Sequence, residues 1–404
     1  MMESILLNHT MHFLLEEKLI SPFEHAFISK RSTTTQLLNF VDKCCESMAV
    51  GKVVDCNCIY FDFAKAFDTV PHKRLLKKLD CYGVKNSLLR RTFSTRKCQW
   101  KVIFKRTGNQ WSTPRERSRS LVVCHLHQRP PWSSVSDHPL FADNTKMFQE
   151  VNTMDEWTHL WLLRFHPDKY KLLTLEKMEN IKHAHRYHLG KKELEHIFVE
   201  KDLGVHIDSD ISFKDHTMER VKKANSMLGV IKRNFSYLSP RMVTILYTTF
   251  ARPHLEYAQS VWSPISKKLV NANAQVQKRA TKLAEGLKNL SYKERLQILN
   301  ILSIEYRRLQ SDMIEIFKHL HYYDNDIVPQ KFVWRTRPSR HHGYELLPNF
   351  ANDGARGVQR KSFYYRSLAS WNNLPREVVN TGSLKIFKKR QSKSWENHPL
   401  RFLT

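Results

Sequence analysis

The segment VVDCNCIYFDF, residues 53–63, is a short apolar run that stops at an acid, Asp62. Its length and its β-branched and aromatic content predict a β-strand. Residues 68–81 predict a helix, because Pro71 stands near the start of this segment and Gly83 follows its end. The sequence therefore predicts a strand with a carboxylate at its end and a helix soon after it.

A second apolar segment also contains an acidic residue, followed by an amide. LFADNTKMF, residues 140–148, predicts two strands joined by a turn that carries Asp143 and Asn144. If this hairpin lies next to the strand that ends at Asp62, the carboxylates of Asp62 and Asp143 converge. Two converging carboxylates can bind a pair of divalent cations, as two-metal phosphoryl transfer requires. The two strand ends are therefore a candidate metal site. We also expect helices at 33–48 and near 383–396, and strands at 169–175 and 196–208, where apolar and polar residues alternate.

The chain is strongly basic. Its 404 residues include 66 Lys and Arg against 39 Asp and Glu, which gives a net charge of +27. Eleven of the basic residues lie within residues 85–120, together with Trp100 and Trp111. Basic side chains interleaved with aromatic ones are typical of surfaces that follow a phosphate backbone. A solvated charged face is the alternative for this run, but the overall charge favours a nucleic-acid partner.

Composition excludes several classes of protein. A hydrophobic content of 41% is sufficient for buried cores, which argues against a wholly disordered chain. No run of about 18 apolar residues is present, so we expect no membrane-spanning helix and no membrane partner. The N-terminus lacks the basic segment of a signal peptide. We expect an intracellular protein, in the nucleus or the cytoplasm, whose cysteines are mostly small buried residues.

Several motifs resemble one family. Residues 59–84, IYFDFAKAFDTVPHKRLLKKLDCYGV, resemble the first catalytic motif of reverse transcriptases from non-LTR retrotransposons, the jockey-like LINE elements. LFADNTKMF resembles their second metal-binding motif, which normally reads F-A-D-D. Residues 21–38, SPFEHAFISKRSTTTQLL, are similar to their fingers motif, usually G-F-R-K-G-R-S-T, and residues 163–173 to a segment ordinarily written F-N-P-D-K. Later landmarks of the family follow in order: EKDLGVHIDSDISFKDH (200–216), RPHLEYAQSVWSP (252–264), VQKRATKL (276–283), LSIEYRRLQSDMIE (302–315) and SWNNLP (370–375).

The resemblance implies an α+β fold, a right-hand polymerase with palm and fingers followed by a mostly helical thumb and a C-terminal region. It implies RNA-directed DNA synthesis, a nucleotidyl transfer to a primer 3′-hydroxyl, with an RNA template, a DNA primer and dNTPs as partners. We expect the polymerase part of such an element without its endonuclease domain. The oligomeric state and the RNA that is copied stay open. The implied segments are fingers-like 1–58, palm 59–212, thumb and connection 213–320, and a mixed C-terminal region 321–404.

The resemblance also implies roles for single residues. Asp62 and Asp143 would be the ligands of two Mg²⁺ ions, and Asn144 would complete the catalytic set. The implied nucleotide-binding residues are Lys30 and Arg31 in the fingers, Phe63 through its carbonyl, Phe67 beneath the incoming sugar, and Lys169 as a proton donor to pyrophosphate.

The sequence departs from the family at several points. Asn144 stands where the family has a second aspartate, and Ala26 and Ile28 replace a Gly and an Arg of the fingers motif. Residues 114–131, PRERSRSLVVCHLHQRPP, show nothing of the expected P-Q-G-S-V-L-G-P motif. These residues can be encoded by a choice of codons that, when it is translated from one base further along, gives the sequence QGSVLGPLLFVIYINDL. We therefore expect a frameshifted stretch within a disrupted segment 85–139, and impaired activity. The alternative is a catalytically inactive remnant that binds RNA or DNA through its basic surface.

Overall fold

The structure is a computed structural model of the 404-residue chain. The residues that it describes are 2–20, 24–26, 28–49, 57–62, 72–83, 140–141, 144–148, 171–175, 188–189, 192–323, 332–334, 346–348 and 361–402.

The chain divides into two compact units. The boundary after Phe198 falls inside the segment 59–212 that the motifs assign to a palm. Unit 1 comprises Met1–Gln36, Asp55–Thr174 and Met178–Phe198, and unit 2 comprises Leu37–Val54, Leu175–Lys177 and Val199–Thr404.

Up to residue 198 the described elements are three helices, all before residue 82, and seven short strands. They are α1 (Met2–Glu16), α2 (Thr33–Ala49), β1 (Asn57–Asp62), α3 (His72–Cys81), β2 (Leu140–Phe141), β3 (Asn144–Phe148), β4 (Lys171–Thr174), β5 (His188–Leu189), β6 (Lys192–Glu193) and β7 (Glu195–Ile197).

Unit 1 contains a five-stranded sheet in the order β2-β3-β1-β4-β7. Strand β1 pairs antiparallel with β3 on one side and with β4 on the other, and β4 pairs parallel with β7. The consecutive residues Cys58, Ile59 and Tyr60 are all buried, as expected for an inner strand that is covered on both faces. The strand predicted within 53–63 and a strand within 169–175 are thus confirmed for their described residues. The hairpin within 140–148 is confirmed as β2 and β3, but Asn144, which was predicted to lie in its turn, is the first residue of β3 and pairs with Phe141.

The helices of unit 1 match the local sequence pattern. Helix α3 ends at Cys81, and Gly83 has a φ of 85° while its N–H donates to the Asp80 carbonyl at 3.0 Å. A glycine in this left-handed conformation commonly ends a helix, since it has no Cβ to clash. Leu14 and Ile20 lie in a small buried apolar cluster that also contacts Tyr82.

Unit 2 consists mainly of helices. Its described elements are the strands β8 (Val199–Asp202), β9 (Val205–Asp208), β10 (Phe332–Trp334) and β11 (Leu346–Pro348), the helices α4 (Lys214–Asn234), α5 (Pro240–Leu246), α6 (Arg252–Glu256), α7 (Gln259–Trp262), α8 (Lys267–Thr281), α9 (Tyr292–Ile298), α10 (Ile304–His321), α11 (Phe363–Arg366), α12 (Leu368–Asn372), α13 (Arg376–Val379) and α14 (Leu384–Ser394), and a π-helical turn, Tyr247–Ala251.

Residues 196–208 differ from the single strand that their alternation predicts. The chain leaves β7 and then folds into the hairpin β8–β9, in which Asp202 pairs with Val205. Leu203 and Gly204 form the two-residue turn, with φ values of 43° and 85°. Two positive φ values match the turn twist that suits a tight antiparallel hairpin. The prediction of one continuous strand was wrong because it overlooked this turn.

Landmark segments far apart in sequence contact one another in unit 2. The Tyr257 hydroxyl donates a hydrogen bond to the Leu203 carbonyl at 2.7 Å. The indole N–H of Trp262 donates to the Tyr257 carbonyl at 2.7 Å, and the Trp262 ring meets the His216 ring edge-on, with centroids 4.8 Å apart. Two of the ordered motifs, 200–216 and 252–264, therefore pack against each other.

Gln277 joins three helices of the same unit. Its Nε2 donates to the Leu302 carbonyl at 2.9 Å, while its Oε1 accepts from the Ile304 N–H at 2.9 Å and from the Tyr292 hydroxyl at 2.8 Å. The side chain is fully buried and all three bonds are made. In the landmark VQKRATKL, Gln277 thus has a structural role in holding α8, α9 and α10 together.

In the described part of the chain, no helix is both apolar enough and long enough to cross a bilayer.

Candidate active site at one edge of the sheet

The backbone brings together the two strand ends on which the metal-site prediction depends. In the antiparallel pair β1–β3, Asp62 is the direct partner of Asn144, followed by Phe61 opposite Thr145. Partners in an antiparallel pair have Cα atoms about 4.5–5.5 Å apart. The end of β1 therefore lies beside the start of β3. The first residue of β3, Asn144, directly follows Asp143 in the sequence.

A third chain segment enters at the same edge of the sheet. Strand β4 starts at Lys171, which pairs with Tyr60, two residues before the end of β1. Because β3 and β4 both run antiparallel to β1, their starts lie at the edge where β1 ends. The last residue of β1 and the first residues of β3 and β4 thus lie along the same edge of the sheet.

The structure locates only part of the predicted site at this edge of the sheet. Asp143, Phe63, Phe67 and Lys169 lie outside the described residues, as does the segment 85–139. Of the proposed catalytic set, Asp62 and Asn144 are located through the backbone register.

The oxygen donors of this set suit magnesium. Asp62 and Asp143 offer carboxylates, and Asn144 offers an amide carbonyl. Mg²⁺ prefers oxygen ligands and is usually bound through one or two carboxylates together with water and substrate phosphates. The chemistry of the donors and the pairing of Asp62 with Asn144 therefore fit a magnesium site. Among the described residues alone, no group of three His, Cys, Asp or Glu side chains could hold a metal.

The fingers-like motif forms a turn that leads into α2. Lys30 is exposed and has a φ of 67°, in the left-handed region. Arg31 follows it, and its guanidinium donates a hydrogen bond to the Glu24 carbonyl. The Glu24 carboxylate in turn accepts from the Ala26 N–H at 2.7 Å. Lys30 therefore faces solvent, whereas Arg31 also helps to hold the turn.

Ser32 and Thr35 cap the helix that follows this turn. The Ser32 hydroxyl accepts from the Thr35 N–H at 3.2 Å, and the Thr35 hydroxyl accepts from the Ser32 N–H at 2.9 Å. Such reciprocal bonds satisfy donors at a helix start. The buried His25 ring lies 2.9 Å from the Thr35 hydroxyl through Nδ1. Sequence reasoning missed His25 and Glu24, although the Ser–x–x–Thr spacing indicates the cap.

A histidine pair in unit 2 has shifted pKa values without forming a metal cluster. His216 is buried, and its Nδ1 accepts from the His206 N–H at 3.1 Å. Burial, followed by the nearby charge of Arg220, lowers the pKa of His216 to about 3. Burial also lowers the pKa of His206, against the opposing effect of Glu219 2.8 Å away. Both rings belong to the packing of the β8–β9 hairpin against α4.

A scan against protein-family models finds no family that matches the chain, and a search of curated proteins likewise finds no match. Function is therefore inferred from the residues themselves and from the motif resemblance.

Proposed function

We propose that the chain derives from the reverse transcriptase of a jockey-like non-LTR retrotransposon and that its sheet is the palm of a right-hand polymerase. The proposed reaction is RNA-directed nucleotidyl transfer to a primer 3′-hydroxyl, impaired in this copy. The single observation that carries the proposal is the pairing of Asp62 with Asn144. It supports a common site for the acid at the end of β1 and the acid directly before β3.

Each proposed ligand has a defined task. Asp62 and Asp143 would hold two Mg²⁺ ions through their carboxylates, and the Phe63 carbonyl would complete the oxygen ligands. Bound Mg²⁺ would activate the attacking hydroxyl and neutralise charge on the triphosphate. Phe67 would stack under the incoming sugar, and Lys169 would donate a proton to the leaving pyrophosphate.

Asn144 is the departure closest to this chemistry. An amide keeps an oxygen donor but removes one negative charge from the site. Less charge weakens the attraction of a second cation, because charge in a site of reduced dielectric constant acts strongly over a few ångströms. We therefore expect weaker magnesium binding than in a site with a third carboxylate.

Primer extension on an RNA template with Mg²⁺ and dNTPs tests the proposal. The unmodified chain should extend the primer, and Asp62→Asn should abolish extension. Asn144→Asp should increase extension by roughly tenfold, since one restored negative charge contributes about 1.4 kcal/mol or more at such a site. Extension that is unaffected by Asp62→Asn would contradict the assignment of Asp62 as a metal ligand.

A second candidate function is binding without catalysis. The charge of +27 and the altered segment 114–131 favour an inactive remnant that holds RNA or DNA. This candidate predicts binding that weakens steeply with salt and is unchanged by Asp62→Asn, with no extension even in the Asn144→Asp variant. Extension and binding measured on the same variants separate the two candidates.

A further inference from the structure

An exposed basic and aromatic surface lies where α4 turns into α5. We define the 232–241 surface by the five basic and aromatic side chains among its exposed residues. Tyr237 is 62% exposed and Phe235 is 38% exposed. The members of the surface are Lys232, Arg233, Phe235, Tyr237 and Arg241.

The backbone of this turn is held without help from these five side chains. The Phe235 N–H donates to the Ile231 carbonyl at 3.2 Å, which ends α4. Leu238 is buried, and its carbonyl accepts from the Glu285 N–H at 3.0 Å. Ser239 caps α5 through its hydroxyl. The two rings therefore project from a fixed backbone.

The five side chains make no polar or ring interaction that the structure describes. No ion pair, side-chain hydrogen bond or ring contact within the described residues involves any of them. The sequence around them is also free of acids, with seven Lys and Arg and no Asp or Glu between Glu219 and Glu256. The positive charge of the surface is thus not neutralised by its own segment.

Helix electrostatics explain only part of this charge. Lys232 and Arg233 lie in the last turn of α4, where cations are favoured by the helix dipole. Arg241 lies in the first turn of α5, where a cation is disfavoured, and the exposed rings contribute nothing to either helix end. A function in binding accounts for all five side chains together.

We infer that the 232–241 surface binds single-stranded nucleic acid. Its three cations contact the phosphates, and Phe235 and Tyr237 stack on unpaired bases. The inference deepens the proposed function and rests on it for the class of partner. Duplex bases are already stacked, so the rings favour a single strand. A lipid surface fits less well, because Leu238, the aliphatic residue of the turn, is buried and unavailable for insertion.

Fluorescence anisotropy of a short single-stranded oligouridylate with the full chain tests this inference. The titration uses no Mg²⁺ and no dNTPs, so its outcome does not depend on catalysis at the sheet. Phe235→Ala with Tyr237→Ala should weaken binding by about 25-fold or more, because each of the two stacked bases contributes a factor of about five or more. Phe235→Tyr with Tyr237→Phe keeps both aromatic faces and should bind like the unmodified chain.

A charge variant separates phosphate contacts from stacking. Lys232→Gln, Arg233→Gln and Arg241→Gln together should lower the slope of log K against log salt by about 2, at roughly 0.7 per phosphate contact on a single strand. The ring variant should leave that slope unchanged. As a matched control, Lys385→Gln, Lys388→Gln and Lys389→Gln remove three exposed cations from α14. This control should change the slope by less than about 1.

Three results would overturn the inference. They are unchanged affinity in the Phe235→Ala/Tyr237→Ala variant, equal competition by a duplex of the same length, and ring-dependent binding to phosphatidylserine vesicles in place of the oligonucleotide. Ring-dependent oligonucleotide binding without primer extension would support this surface while contradicting the proposed polymerase activity.

Discussion

Lys30 has a backbone conformation that is unfavourable for its side chain. Its φ of 67° lies in the left-handed region, which costs an L-residue about 1–2 kcal/mol. The lysine therefore stands where the turn into α2 favours a residue without a Cβ.

We expect Lys30→Gly to raise the free energy of unfolding by about 1 kcal/mol, because relief of the strained φ exceeds the added flexibility of glycine in the unfolded chain. Lys30→Ala keeps the Cβ and should gain nothing. Urea unfolding of both variants measures the difference. An equal gain in the alanine variant would show that the lysine side chain, and not its φ, is unfavourable.

His216 makes the stability of the chain depend on pH. Its pKa is lowered to about 3 in the folded chain, first by burial, whereas an unfolded histidine titrates near 6.5. Between these values the unfolded chain binds a proton that the folded chain does not. The free energy of unfolding should therefore fall as the pH drops below about 6.5, by up to about 1.4 kcal/mol per pH unit from this residue.

His216→Asn removes the titrating ring but keeps an acceptor near the position of Nδ1, opposite the His206 N–H. Stability between pH 7 and pH 4 should depend less steeply on pH in this variant, by about one proton. Other histidines with lowered pKa values, such as His206, His254 and His319, remain in both proteins. Identical slopes for the two proteins would contradict a neutral buried His216.

At the scale of elements, two features of the β8–β9 turn favour glycine at position 204: its positive φ and the nearby Tyr257 ring. Gly204 has a φ of 85°, and a Cβ added there would lie 3.3 Å from the Tyr257 ring. Gly286 has a similar φ of 76°, with no atom within 4 Å of an added Cβ. A comparison of alanine substitutions at these two glycines therefore separates the effect of backbone strain from the effect of the Tyr257 ring.

Gly286→Ala should destabilise the chain by about 1 kcal/mol through its φ alone. Gly204→Ala should cost about 1–2 kcal/mol more, because the Tyr257 ring must move and its hydrogen bond to the Leu203 carbonyl is strained. Thermal or urea unfolding compares the two. Equal losses would mean that Tyr257 does not constrain this turn.

The sequence predicts elements better than the contacts between them. Strand β1 and helices α2, α3 and α14 follow from apolar spacing, Pro71 and Gly83, which act within a few residues. The hairpin at 199–208 was missed because alternation continues across its two-residue turn. The order of the sheet could only be assumed, since β1 pairs with strands more than eighty residues away.

At the scale of the whole molecule, unit 2 includes a segment that no local pattern assigns to it. Residues 37–54 belong to this unit, and the Ser362 hydroxyl donates to the Asp42 carboxylate at 2.9 Å across 320 positions of sequence. The candidate site is similarly composed of distant parts. Sequence reasoning proposed Asp62 and Asp143 from strand ends and Asn144 from the motif resemblance. It applied the basic and aromatic pattern only to residues 85–120 and missed the 232–241 surface.

The meeting of the two acid-bearing strand ends is tested most directly by a disulfide. Asp62→Cys with Asn144→Cys places two thiols on direct partners, whose Cα separation of about 4.5–5.5 Å suits a disulfide. Asp62→Cys with Lys146→Cys moves one thiol two residues along β3, to a diagonal Cα distance of about 7–8 Å. Peptide mapping by mass spectrometry distinguishes the new bond from bonds to the seven native cysteines. The account predicts that the 62–144 pair crosslinks and the 62–146 pair does not; the opposite result, or no crosslink in either, would contradict it.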